Sequence, residues 1–194
     1  MSENLEIEFK SLLTEKEFSH LLNHFEITEE DCFTQTNYYF DSKDLLLKQN
    51  QMGLRIRILP FSAELTLKIP ANEGLLEISE SLPPNIAIDL IELNQLPDHG
   101  IVYDKLISLG FSVSDLTTIG SLKTKRAEKK IPEGLLALDE SWFGNQHDFE
   151  IELEVSNAIE GKKAFISLLK KLTIKEKVAP NKIQRMMIAS SNKF

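Results

Sequence analysis

Several segments of this chain alternate apolar and polar residues with a period of two, and that alternation leaves few folds open. Leu5-Glu6-Ile7-Glu8-Phe9-Lys10, Leu54-Arg55-Ile56-Arg57-Ile58, Glu64-Leu65-Thr66-Leu67-Lys68-Ile69 and Phe149-Glu150-Ile151-Glu152-Leu153-Glu154-Val155 all follow it, and Leu75 to Ser79 continues the theme. A period of two is the spacing of a β-strand, which sends successive side chains to opposite faces. Shorter strands are predicted near Thr36–Phe40, Thr118–Lys125 and Leu135–Asp139. Helical signals are fewer. Thr14 with Glu17 forms a capping box ahead of Phe18, Leu21, Leu22 and Phe25. Asp98 to Leu109 reads as a helix stopped by Gly110, Phe165, Leu168, Leu169 and Leu172 form one apolar stripe, and a last helix runs from about Asn181. Pro83, Pro84 and Pro97 punctuate Ser81 to Gly100, which reads as a connection between halves of one domain spanning 1–194. Many antiparallel strands with a few helices make an α+β protein whose strands can close into a barrel.

The polar faces carry the chemical information. Glu6 and Glu8 form an acidic face, Arg55 and Arg57 a basic one, and Glu150, Glu152 and Glu154 another acidic one. Like charges two residues apart on one face repel by about 2 kcal/mol at an effective dielectric of ~20. For a single strand, a solvated outer face explains such charges well enough. Three single-sign faces in one chain are better explained by convergence on something that needs both signs. Clustered carboxylates suit hard divalent cations. Clustered Arg and Lys suit phosphate oxygens, through charge-assisted and bidentate bonds. Together they describe a metal–phosphate site.

Composition limits the alternatives. The 194 residues are 42% hydrophobic and 27% charged, with a net charge of −8, so nonspecific binding to nucleic acid or an anionic membrane is disfavoured. An anion site must instead be built locally. There is no long apolar run, and the opening residues lack the apolar centre of a signal peptide, so a cytoplasmic protein is expected. Cys32 is the one cysteine, which excludes an intrachain disulfide and a multi-cysteine zinc site. His20 and His24 lie four apart on a predicted helix and are read as a solvated face rather than as a metal pair.

Glu6-Ile7-Glu8-Phe9-Lys10 matches the ExExK signature of the CYTH, or triphosphate tunnel metalloenzyme, superfamily. The resemblance continues in order through Tyr39-Phe40-Asp41, Leu54-Arg55-Ile56-Arg57, Leu65-Thr66-Leu67-Lys68 and Glu77. It then runs through Arg126, Leu138-Asp139, Trp142-Phe143-Gly144, Glu150-Ile151-Glu152 and Asn181-Lys182 with Arg185. It covers nearly the whole chain and is closest to the short single-domain bacterial CYTH proteins. It implies an eight-stranded antiparallel barrel, a tunnel whose interior is charged and whose apolar faces are covered by helices. By the same resemblance, Glu6, Glu8, Glu150 and Glu152 are the expected metal ligands. Glu154 extends the last motif, so a Glu152/Glu154 pair competes with the favoured Glu150/Glu152. Lys10, Arg55, Arg57, Lys68, Arg126 and Lys182 are expected to hold a triphosphate, with Glu77 and Asp139 as supporting carboxylates or ligands of a second ion. Glu6, Glu8, Lys68, Glu77 and Asp139 form the expected catalytic set. The six cations and six acids of this set balance, so a triphosphate needs added positive charge, and Mg²⁺ or Mn²⁺ is expected as an obligate cofactor.

The activity implied is hydrolysis of inorganic triphosphate or a small organic triphosphate. The alternatives are a class IV-type adenylate cyclase, or a polyphosphate- or nucleotide-binding module without turnover. The partner is a triphosphate-bearing small molecule, and the protein a monomer or homodimer. Ser79 and Ser81 read as ordinary strand and loop residues, and Trp142 and Phe143 as packing.

Overall fold

The computed structural model describes residues 2–191. In chain order the elements are β1 (Ser2–Leu13), α1 (Glu15–His24), β2 (Cys32–Ser42), α2 (Leu46–Gln49), β3 (Gly53–Ile58), β4 (Ala63–Pro70), β5 (Leu75–Leu82), α3 (Pro84–Glu92), α4 (Ile101–Ser108), β6 (Leu116–Ile131), β7 (Gly134–Phe143), β8 (Gln146–Val155), α5 (Ala158–Lys171) and α6 (Lys182–Ser191). The eight strands close into an antiparallel barrel in the order β1-β5-β4-β3-β2-β6-β7-β8, the fold class that the resemblance implies. The chain forms two compact units, one built mainly from Gln35–Leu122 and the other from Glu6–Thr34 together with the chain from Lys123 onward.

In the first unit, Phe40, Leu54, Ile56, Leu65, Leu67 and Ile78 project from one face of β2 to β5. They pack against Leu47 of α2, Ala87 of α3, and Val102 and Leu106 of α4. Each fully buried Leu or Ile contributes about 2 kcal/mol. The alternate residues, Arg55, Arg57, Thr66 and Lys68 among them, therefore point the other way, into the barrel. The stretch after Ser81 departs from the expected connection, because it contains α3. Pro84 occupies the first turn, where its missing N–H costs nothing, and Ala87, Leu90 and Ile91 share the buried face.

Two carboxylates in this unit serve the backbone. Asp41 is buried, and its side chain accepts from the backbone N–H groups of Ser42 at 2.8 Å, Leu47 at 2.9 Å and Lys48 at 3.0 Å. It thereby fastens the turn from β2 into α2. Glu80 accepts from Val102 N–H at 3.4 Å near the start of α4. Gly100 permits that approach, since a Cβ there would lie 2.3 Å from a Glu80 oxygen and its φ of +107° disfavours any side chain.

The second unit repeats the scheme. Leu136, Leu138, Ile151 and Leu153 of β7 and β8 pack beneath Phe18 and Leu21 of α1 and Phe165, Leu168 and Leu169 of α5. The Thr14–Glu17 capping box opens α1 as expected, with Thr14 N–H donating to Glu17 at 2.7 Å and Glu17 N–H donating to Thr14 at 3.2 Å. The three predicted short strands lie within β2, β6 and β7. His20 and His24 are exposed on α1. No helix among the described residues is long and apolar enough to cross a membrane.

Asp41→Ala should lower the unfolding free energy by about 3 kcal/mol, because it orphans backbone donors that a buried carboxylate now satisfies. Urea unfolding followed by circular dichroism measures this, and an unchanged midpoint would mean that those donors find other acceptors.

Candidate functional site

The inward faces of the two units carry different charge sets. In the first, the register places Arg55 opposite Tyr39 and Thr66, Arg57 opposite Asn37 and Glu64, and Lys68 opposite Glu77. These cross-strand neighbours become contacts. Arg57 Nε donates to Asn37 at 2.9 Å, and its guanidinium lies 3.3 Å from Glu64. Arg55 is 3.9 Å from Glu64, a loose approach, and its buried Nε finds no acceptor among the described residues. Lys68 pairs with Glu77 at 3.0 Å, and Ser79 donates to Glu77 at 3.1 Å. Burial pushes the Glu77 carboxyl up, but the Lys68 and Arg55 charges outweigh it and hold the group below its usual range. Arg55, Arg57 and Lys68 thus lie around Glu64 and Glu77, and the Arg55 Nε is left without an acceptor among the described residues.

In the second unit the carboxylates gather. Asp139 and Glu150 are register partners on β7 and β8, and Glu152 is the next inward residue of β8. Asp139, Glu150 and Glu152 are all buried and offer oxygens within 4.8 Å of one another. Arg126 on β6 grips Asp139 with both arms of its fork, Nε at 2.7 Å and Nη2 at 2.6 Å, and also touches Glu152. Lys182 reaches in from α6 to Asp139, Glu150 and Glu152. Arg185, one turn further along α6, donates to Asp148 at 2.6 Å and to Glu150. On β1, Lys10 pairs with Glu8 at 2.7 Å and lies opposite Glu152 in register.

Burial alone would protonate all three clustered carboxylates. For Asp139 the charges of Arg126 and Lys182 overcome it and hold the group below its ordinary value. Lys182 and Arg126 hold Glu152 further down still. Glu150 goes the other way. Burial, reinforced by the neighbouring Glu152 carboxylate, pushes it up to about 8 against the pull of Lys182 and Arg185. Asp139, Glu150, Glu152 and Asp148 thus pair with Arg126, Lys182 and Arg185, and Glu150 is the carboxyl whose affinity for a proton this crowding raises. Oxygen donors of this kind, buried and crowded enough to retain a proton, fit a hard divalent cation, which takes the place of protons on its ligands.

The positions of the expected site residues follow from this geometry. Glu150 and Glu152 stand together, and Asp139 joins them as the third carboxylate. Glu154 is exposed, opposite Glu8 and Leu135 in register. Glu6 and Glu8 are half-buried on β1 and are not among the three gathered acids. Arg55, Arg57, Lys68 and Glu77 share the inward face of the first unit. Lys10, Arg126 and Lys182 surround the carboxylates of the second.

Some participants have no site role assigned from sequence. Glu64 continues the alternation of β4 toward Lys68, and Asp148 lies two residues before Glu150, so the period of two marks both. Arg185 follows Lys182 by three positions, the spacing that puts two helical residues on one face. Ser79, read as an ordinary strand residue, donates to Glu77, and Ser81 belongs to β5 rather than to a loop. Trp142 stacks on His147 with ring centroids 5.1 Å apart, while Phe143 is buried.

Comparison with known proteins agrees with this architecture. The family model of the CYTH domain matches residues 4–187. The candidate triphosphatase YjbK of Bacillus subtilis (strain 168) is 40% identical over 185 residues, 95% of each chain. A candidate adenylate cyclase of Bacillus halodurans, known from a crystal structure, is 36% identical with a TM-score of 0.90, covering 95% of this chain and 98% of that one. HpAC1 from Hippeastrum is 23% identical with a TM-score of 0.80, over 98% of this chain and 97% of that one, and shares the fold.

The raised Glu150 has a thermodynamic signature. A carboxyl whose folded pKa lies above its unfolded value stabilises the fold below the unfolded pKa and loses that contribution as pH rises through the folded one. In metal-free protein, stability should therefore fall from about pH 5 to about pH 8 and level off above it, and the fall should be smaller in Glu150→Gln. Thermal unfolding of both proteins across that range tests this; parallel pH profiles would place the ionisation elsewhere.

Proposed function

Because this chain belongs to the CYTH domain family, we propose that it hydrolyses inorganic triphosphate or a small organic triphosphate with the help of Mg²⁺ or Mn²⁺. The observation that carries this reading is the gathering of Asp139, Glu150 and Glu152 amid Arg126, Lys182 and Arg185. Buried carboxylates supply hard oxygen ligands, and the surrounding guanidinium and ammonium groups supply the donors that phosphate oxygens require. The name of the YjbK relative supports a triphosphatase, with water as the attacking group.

In this reading Asp139, Glu150 and Glu152 hold the cation, with Glu6 and Glu8 of the ExExK strand as further carboxylates toward it. When bound, the cation supplies positive charge at the phosphoryl oxygens. The side chains of this chain do the rest. Arg55, Arg57 and Lys68 bind the nonbridging oxygens, and the unpaired Arg55 Nε has a hydrogen bond to offer them. Glu77 stays ionised, and fixes Lys68 through their 3.0 Å pair. Lys10 and Arg126 add charge where the phosphoryl group becomes more negative in the transition state. Burial of the clustered side chains keeps bulk water away, so each charge acts at low dielectric.

The same charged barrel would serve a cyclase, in which a ribose hydroxyl replaces water; the description of the Bacillus halodurans relative favours that reading. Product analysis separates the two. Purified protein is given Mg²⁺ or Mn²⁺ and then triphosphate, ATP or thiamine triphosphate, while phosphate, pyrophosphate and cyclic AMP are measured. Phosphate should be released from a triphosphate and fall about 100-fold or more in Glu152→Gln, the order of loss seen when a metal site is disturbed. Arg57→Ala should raise KM and lower kcat/KM with little change in the unfolding midpoint. Cyclic AMP as the main product, or turnover undiminished by a chelator, would overturn the proposal.

A further inference from the structure

The position that a cation would take among Asp139, Glu150 and Glu152 already holds a positive charge of the chain's own. Lys182 Nζ lies 2.8 Å from Asp139 Oδ2, 2.7 Å from Glu150 Oε1 and 2.6 Å from Glu152 Oε1. An ammonium has three N–H donors and no acceptor; Lys182 donates to Glu150 and Glu152 and is ion-paired with Asp139. The same three oxygens are what a divalent ion would need, at the shorter distances of about 2.0–2.1 Å that Mg²⁺ requires. Two cations cannot share those oxygens at close range.

The other two cations differ from Lys182 in this respect. Arg126 binds Asp139 side-on through its fork, and Arg185 binds Asp148 as well as Glu150, so neither sits at the point common to the three carboxylates. Lys182 also has the means to leave. It is the first residue of α6, its charge is carried on a flexible four-carbon stem, and Arg185 keeps an independent hold on β8.

We propose that Lys182 is an internal counter-ion that occupies the metal position in the metal-free protein, and that a divalent cation enters by displacing its ammonium from Asp139, Glu150 and Glu152. This rests on the metal placement given under Proposed function and goes beyond it. The displaced ammonium becomes available to the anionic substrate, so loading the cation and assembling the triphosphate-binding donors are one event. By linkage, whatever holds the freed Lys182 also strengthens cation binding.

Mn²⁺ alone, without any triphosphate, is the probe. Its binding is titrated by electron paramagnetic resonance in the wild-type protein, Lys182→Met and Glu152→Gln, and acetic anhydride labelling of the wild-type lysines is followed by mass spectrometry. Removing the competitor should tighten Mn²⁺ binding in Lys182→Met by about tenfold or more, the effect of ~1.4 kcal/mol of relieved competition. Acetylation of Lys182 should be slow in the metal-free protein and should rise with Mn²⁺, while the exposed Lys163 is unchanged. Glu152→Gln should lose the site. Mn²⁺ binding that is no tighter in Lys182→Met, or Lys182 labelling indifferent to Mn²⁺, overturns the exchange while leaving the metal placement intact. Wild-type affinity in Glu152→Gln overturns the placement itself, and the exchange with it. Should Lys182→Met fail to fold, the labelling of the wild-type protein decides alone.

Discussion

Gathering Asp139, Glu150 and Glu152 within 4.8 Å away from water costs several kcal/mol per ionised group unless the charge is met on the spot. The chain meets it from three directions. Arg126 comes from the neighbouring strand, Lys182 and Arg185 come from the last helix, and Glu150 has its affinity for a proton raised. Remove any of these and a buried charge is left uncompensated. That requirement explains why the cluster is poised rather than inert, since a set of oxygens held by exchangeable positive charge can accept a different one.

The placement of the core follows from the same demand. A barrel with a charged interior cannot use its centre as the hydrophobic core, so the apolar alternate residues must be covered from outside. Leu54, Ile56 and Leu67 lie under α2, α3 and α4, and Leu136, Ile151 and Leu153 lie under α1 and α5. The helices thus supply the burial that holds each charged face in register. The polar faces are free of packing duties, and their residue types can be set by chemistry.

Much of this was legible in the residues because the strand period is strict. The run from Phe149 to Val155 assigns each side chain to a face without reference to the rest of the fold, and the strands around Arg55 and Thr66 lie where alternation places them. Barrel closure depends on pairings between strands far apart in the chain, and local alternation does not encode strand order; there the resemblance to known CYTH sequences carried the reading. The helix α3 escapes the sequence reading because Pro83, Pro84 and Pro97 mark Ser81 to Gly100 as a connection, whereas proline in the first turn is compatible with a helix. The grouping of Asp139 with Glu150 and Glu152 is a matter of register between β7 and β8, and the reach of Arg185 is a matter of how α6 docks. A one-dimensional pattern marks such residues as candidates but does not say which oxygens will meet.

The helix α6 has a further consequence, which concerns synthesis rather than catalysis. It follows all eight strands in the chain, so on the ribosome the carboxylates of β7 and β8 emerge before Lys182 and Arg185, the cations that neutralise them from outside the sheet. Until then a nascent barrel would hold buried acids in excess of bases. Completion of this half of the fold is thereby tied to the arrival of its final helix, and a chain released too early would carry the penalty of an uncompensated charge.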